Sequence, residues 1–332
     1  MHPFSEKLFE KHKNQILSDS ARMFGVEVEN LKKLGSFESF VYEFMKNGRG
    51  QILKITHDKH RSKNAILGEL EWVNHLAENN ITVAHPIPLE NGEMVGSITV
   101  EDTDFFTYCF EKVNGTHPDL SQDNTALFDK WGRITGEMHA ATKKYTPSIP
   151  AVKRHGWEGE ISKDVEKHIP ASQPGVIEKC KQLQSKMATF PIEHDSFGLI
   201  HSDLHHGNFY VDGDIIRIFD FDDCHYDWFV YDIAIPLFYV LRDINVGDDN
   251  LDYAERFLEH FLKGYIEKNS LDSSWLAMIP DFLKLREIEL YIILWVEQAF
   301  DLNDWCGRFF EGRQERIEKD IPVIDMDFTR FC

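Results

Sequence analysis

His201-Ser202-Asp203-Leu204-His205-His206-Gly207-Asn208, with Ile218-Phe219-Asp220-Phe221-Asp222-Asp223 shortly after it, is the stretch that decides how this chain reads. Asn208 follows Asp203 by five residues and Asp220 follows it by seventeen. Phosphoryl transfer without a Walker loop calls for this set: a carboxylate to receive an alcohol proton, and an amide and a second carboxylate to hold a hard cation on nucleotide phosphates. Asp203 fits the first task, as the catalytic residue. Asn208 and Asp220 fit the second, as the ligands of Mg2+, with ATP as co-substrate. Alternating apolar residues at 209–211 and 215–219, turned by Asp212-Gly213, predict a hairpin between the two metal residues, with Gly207 allowing close backbone approach.

The flanking sequence divides into two kinds. Residues 5–24 have apolar residues near helical spacing and end at Gly25. Strands are then expected at 26–34, 37–45, 51–56, 85–89, 93–101 and 105–112, with Asn47-Gly48 and Asn91-Gly92 as turns. A helix capped by Ser62 separates the third strand from the fourth. After Asn114-Gly115 the pattern turns helical, with helices expected at 120–145, 174–189, 229–242, 251–269 and 275–300 and loop over much of 146–174. The expected class is α+β, with a β-rich lobe at 1–110 and a mostly helical lobe at 111–332.

Composition narrows the function. Residues 1–110 carry 12 Lys+Arg and 16 Asp+Glu, a balance of −4, so the total of −20 leaves −16 for the remainder. Such a field disfavours nucleic acid and anionic membrane as partners and suits a neutral or cationic small substrate. The longest strongly apolar run, at 290–296, is far below a membrane span, and the first ten residues do not resemble a signal peptide. Five cysteines without a C-x-x-C pair suit a reducing cytoplasm. Neither G-x-x-x-x-G-K-[ST] nor G-x-S-x-G occurs, which excludes a P-loop kinase and removes the nucleophile elbow of an α/β-hydrolase. A metal-hydrolase reading of His201, Asp203, His205 and His206 leaves Asn208 and Asp220 idle.

The 201–223 segment resembles the aminoglycoside phosphotransferase and choline kinase superfamily, whose fold is like that of protein kinases. Two further segments share the likeness. Trp131-Gly132-Arg133-Ile134-Thr135-Gly136-Glu137-Met138-His139-Ala140 is similar to that family's first C-lobe helix, where small glycine faces would pack near the catalytic loop. Tyr231-Asp232-Ile233-Ala234 is similar to its D-[LI]-A segment, where Asp232 would fix the helix after the metal loop. The resemblance implies a protein-kinase-like bilobal fold. It implies that Lys54, in Ile52-Leu53-Lys54-Ile55, contacts phosphates and pairs with Glu69, with Glu71 as the alternative. It places Ser36 and Ser39 in the nucleotide-positioning loop, and Cys109, Glu111 and Val113 along the linker that meets adenine. Asp222, Glu297 and Asp301 are candidate substrate contacts, the last two at i, i+4 on one helix face.

The implied activity is transfer of the γ-phosphate of ATP to a hydroxyl of an amino alcohol, aminoglycoside or sugar-like molecule. The Phe-Asp-Phe-Asp-Asp run resembles the homoserine-kinase-like and stress-response branch. A Ser/Thr protein kinase of this fold and a nucleotide-binding protein without turnover are the alternatives.

Overall fold

The computed structural model describes residues 3–36, 39–120, 124–158, 165–243, 250–301 and 304–331. The chain forms two compact units. The first comprises residues 1–116, 145–154 and 210–222, and the second 117–144, 155–209 and 223–332. A cut at 110/111 falls at the end of a strand inside the first unit, and two later segments return to that unit.

The first unit is an antiparallel sheet with a helix on each face. Its strands are β1 (Lys32–Ser36), β2 (Phe40–Lys46), β3 (Arg49–His57), β4 (Pro86–Ile87), β5 (Gly96–Val100) and β6 (Thr103–Glu111), in the order β1-β2-β3-β6-β4 with β5 beside β6. Asn47 and Gly48 both have positive φ (51° and 76°), as a two-residue turn joining Lys46 to Arg49 requires. Helix α1 (Pro3–Met23) buries Leu8, Phe9 and Ile16 against one sheet face, where Phe9 stacks on Phe40. Helix α2 (Lys63–Glu78) is capped by Ser62, whose Oγ accepts the Ala65 N–H at 3.1 Å, and packs Ile66 and Leu70 with Phe106, Tyr108 and Phe110 of the other face. The strand expected at 26–34 is shorter: Val28–Asn30 closes a 3₁₀ turn through Asn30 N–H to Glu27 C=O, and β1 starts at Lys32. The hairpin β8 (Phe209–Asp212) and β9 (Ile215–Ile218) turns at Gly213 (φ 60°). Its second strand exchanges backbone bonds with Thr82 and Ala84 of the first unit.

The second unit is mostly helical. It contains α3 (Thr125–Thr142), α4 (Val165–His168), α5 (Pro174–Met187), α6 (Tyr231–Asp243), α7 (Asn250–Ile266), α8 (Ile279–Val296), α9 (Trp305–Phe309) and α10 (Arg313–Glu318). A two-stranded ladder joins β7 (Phe197–Ile200) to β10 (His225–Trp228). Helix α3 begins later than expected, where the Asn124 carbonyl side chain accepts the Leu127 N–H; residues 121–123 lie outside the described ones. The glycines of α3 do not serve the 201–208 loop. They admit α7, because a Cβ on Gly132 would stand 1.8 Å from the Phe261 carbonyl oxygen and one on Gly136 2.6 Å from that of Tyr265. Gly264 of α7 answers with the Asp129 carbonyl at the same 1.8 Å. No helix among the described residues is long and apolar enough to cross a membrane.

Candidate functional site

In the first unit, the sheet and the β9 hairpin line a half-open cavity of about 290 Å³. Its apolar walls include Leu34, Val41, Ile52, Ala84 and Phe219, and its polar groups include Lys54 and Asp220. Strand alternation decides which residues of β6 reach it. Phe110 lines the cavity with Glu111, Lys112 and Val113, whereas Cys109 points through the opposite face into the α1 core. The Cys109 side chain is buried there, with its thiol on Gln51 Oε1 at 3.7 Å and its pKa pushed up to about 12 by desolvation, so only its backbone could lie along the expected linker edge. Of the loop after β1, residues 37–38 and the Ser36 side chain lie outside the described residues. Ser39 is described and buried, and its Oγ has no hydrogen-bond partner.

Lys54 stands opposite Tyr108 on β6, and its Nζ meets Asp220 Oδ1 at 2.6 Å. Burial would lower the ammonium's pKa, but Asp220 and the other acidic neighbours outweigh it and hold the value well above the usual one. Asp220 has a left-handed backbone (φ 66°), uncommon for a residue with a Cβ. The next residue, Phe221, anchors this bend by packing edge-on against Trp72 of α2 at 5.5 Å.

The expected Lys54–Glu69 pair is not formed here. Glu69 is fully buried on α2, neither carboxylate oxygen has a hydrogen-bond partner, and desolvation pushes its pKa to about 7. A carboxylate that dry competes poorly for an ammonium against Asp220, whose side chain keeps 48% of its exposure. Glu71 faces away and accepts from Tyr145 Oη at 2.9 Å and the Ser148 N–H at 2.8 Å. Asp222, expected as a candidate substrate contact, is held by neighbours within its own unit. It is buried in the first unit, with His60 Nε2 at 3.1 Å and Arg61 Nε at 3.5 Å on Oδ2, while its carbonyl accepts from Arg154. Burial opposes ionisation, yet Arg61 and His60 hold its carboxyl well below the usual range.

In the second unit, the 201–208 loop hangs from Asp232 at the start of α6. Its two oxygens accept the His201 N–H at 2.9 Å and the Ser202 N–H at 2.8 Å. His139 of α3 meets the same carboxylate at 3.2 Å, and its other ring nitrogen bonds Tyr265 of α7. Asp232 thus fixes the loop itself, which lets Ser202 hold a left-handed backbone (φ 65°). His201 Nδ1 accepts the Asp203 N–H at 3.3 Å and His205 Nδ1 the Gly207 N–H at 2.9 Å, so each imidazole commits one ring nitrogen to loop geometry. Asn208 Nδ2 donates to the Asp203 carbonyl at 2.8 Å and to Asp203 Oδ2 at 2.9 Å, which leaves the amide oxygen unbonded to that loop. Burial alone would raise the Asp203 pKa, but His205 and Arg286 overcome it and hold the carboxyl well below its usual range.

Arg286 and Tyr239 are the residues that sequence reasoning missed. Arg286 Nη2 bonds both Asp203 Oδ1 and, at 2.6 Å, Tyr239 Oη. A signal existed in α8. Lys284, Arg286 and Glu287 interrupt a helix that is apolar on nearly every side, and charges buried in that way need partners. Glu297 and Asp301 do not share a helix face: α8 ends at Val296, Glu297 is its C-cap, and Gln298 turns left-handed at φ 53°.

The sequence pattern of the phosphotransferase enzyme family matches residues 30–272. An amicoumacin kinase of Bacillus subtilis (strain 168) is 40% identical over 99% of this chain and 98% of its own. A solved amicoumacin kinase in complex with AMP-PNP, Ca2+ and Ami superposes with a TM-score of 0.92 at 36% identity, each chain covered completely. A homoserine kinase of Methylobacillus flagellatus is 23% identical over 80% of this chain and 79% of its own.

Proposed function

Because this chain belongs to the phosphotransferase enzyme family and is an ATP-dependent kinase of a small-molecule hydroxyl, we propose that its acceptor is amicoumacin and that Asp203 is the catalytic carboxylate. The acceptor oxygen attacks the γ-phosphorus, the bond from that phosphorus to the β,γ-bridging oxygen breaks, ADP leaves, and the hydroxyl proton passes to Asp203. Amicoumacin is favoured over homoserine because the likeness to the amicoumacin kinase is 40% across essentially the whole chain, against 23% for the homoserine kinase.

The adenine ring takes the apolar cavity, with the backbone from Glu111 to Val113 along its edge. Lys54 meets the phosphates, with Ser36 and Ser39 in the loop that covers them. Asn208 and Asp220 each offer an oxygen to Mg2+. The amide oxygen of Asn208 is turned away from Asp203 because its nitrogen faces that residue, and Asp220 Oδ2 is not the oxygen that Lys54 holds. Two hard oxygen donors suit Mg2+, as they do Ca2+. The cation neutralises phosphate charge when bound. A cytoplasmic location accords with the ATP requirement.

One observation carries the reading: the Asp203 carboxylate is kept ionised in a half-buried loop, bonded to the amide of the proposed metal ligand Asn208. The test is ADP release, with mass analysis of the product, for amicoumacin and homoserine with Mg2+ or Ca2+. Asp203→Asn should lower turnover by about 10²-fold or more while ATP affinity holds. Near-normal turnover of that variant removes Asp203 from catalysis. Turnover of homoserine but not amicoumacin overturns the acceptor and leaves the kinase.

A further inference from the structure

We infer that Arg286 is a positioning residue for the transfer, clamping the Asp203 carboxylate in the one orientation that receives the acceptor's proton. The inference rests on the reading of Asp203 as the catalytic carboxylate. A carboxylate has about four lone-pair directions. The bonds around Asp203 use three, and both oxygens are engaged: Oδ1 by Arg286 Nη2, and Oδ2 by Asn208 Nδ2 at 2.9 Å and His205 Nε2 at 3.4 Å. Because His205 Nδ1 accepts from the Gly207 N–H, its Nε2 carries the ring proton and points it at Asp203. With both oxygens held, the plane of the carboxylate is fixed and one lone pair is left for an incoming hydroxyl.

Arg286 is itself locked. It is buried on α8, its Nη2 is shared with Tyr239 Oη at 2.6 Å, and its guanidinium lies 5.2 Å from the centre of the Tyr239 ring. That ring packs on His205 at 4.3 Å. The contacts therefore close a loop, Asp203 to Arg286 to Tyr239 to His205 and back to Asp203, within one unit. A carboxylate on a loop would otherwise sample several rotamers, and a misplacement of about 1 Å at a reacting group costs on the order of 10² in rate. Arg286 is 83 residues from Asp203 in sequence and supplies from a rigid helix what the loop lacks.

The experiment is steady-state kinetics of the full-length protein with amicoumacin and Mg·ATP, comparing Arg286→Met, Arg286→Lys, Tyr239→Phe and Asp203→Asn, alone and with Arg286→Met combined with Asp203→Asn. Arg286→Met should lower kcat about 10- to 100-fold with KM for ATP within about twofold of wild type. Arg286→Lys should recover part of that loss, and Tyr239→Phe, which frees the guanidinium without removing it, should lose a smaller part. Added to Asp203→Asn, Arg286→Met should cost little more, since its target is already gone. The Nε–H of Arg286 is buried without an acceptor, so direct contact with a transferring phosphate is the competing role. A full additional loss in the double variant supports that role and overturns positioning. Unchanged kcat in Arg286→Met with Asp203→Asn inactive also overturns it, whereas an active Asp203→Asn refutes the underlying reading instead. If Arg286→Met does not fold, Tyr239→Phe and Arg286→Lys decide, and normal kcat in both sinks the clamp.

Discussion

Glu69→Gln should stabilise the nucleotide-free protein, and the gain should grow with pH. The side chain is fully buried, no donor reaches either oxygen, and its pKa is raised from 4.5 to about 7. A carboxyl with a raised folded pKa favours the fold when protonated. Its contribution is therefore intact below the unfolded value of 4.5 and is lost as pH rises through about 7. A difference of about 2.5 units at about 1.4 kcal/mol each makes the ionised state costly by on the order of 3 kcal/mol once the pH is well above 7. Gln has the same shape and no charge, so it avoids that cost. Urea denaturation of both proteins at about pH 5 and about pH 8.5 should give differences near 1 and near 3 kcal/mol, with m unchanged. A difference independent of pH, or a destabilised variant at high pH, would show that the carboxylate is satisfied in solution. Lys54 would then have to divide itself between Asp220 and Glu69.

Three further outcomes are expected. Asp220→Ala should abolish the Mg2+-dependent part of the thermal shift given by ATP, and equal shifts in wild type and variant would remove Asp220 from the metal site. Gly132→Ala should cost about 2–3 kcal/mol in denaturant melts, because its Cβ would meet the Phe261 carbonyl at 1.8 Å, while Gly35→Ala, with nothing within 4 Å, should be near neutral; equal effects would refute the tight α3–α7 crossing. The −16 balance of residues 111–332 predicts that a cationic acceptor loses kcat/KM as ionic strength rises past a Debye length of about 10 Å, and a gain with salt would point to an anionic one.

Much of the fold was legible because its signals are local. The Asn47-Gly48 turn, the Ser62 cap and the hairpin of β8 and β9 appear where the pattern put them, since turn chemistry and apolar periodicity depend only on near neighbours. Where the reading slipped, a distant surface decided. The α3 glycines met α7 instead of the 201–208 loop. The shared face of Glu297 and Asp301 was lost when α8 stopped one turn early.

The sequence by itself determined the chemistry: Asp203, Asn208 and Asp220 sit within eighteen residues, and their types and spacing already describe phosphoryl transfer. Only the tertiary structure decided which charges hold one another. Lys54 chose Asp220 across 166 residues and left Glu69 alone, and Asp203 acquired Arg286 from a helix near the other end of the chain. A buried charge takes its partner according to how much water each candidate has lost and how rigidly it is held, and both follow from packing between segments far apart in sequence.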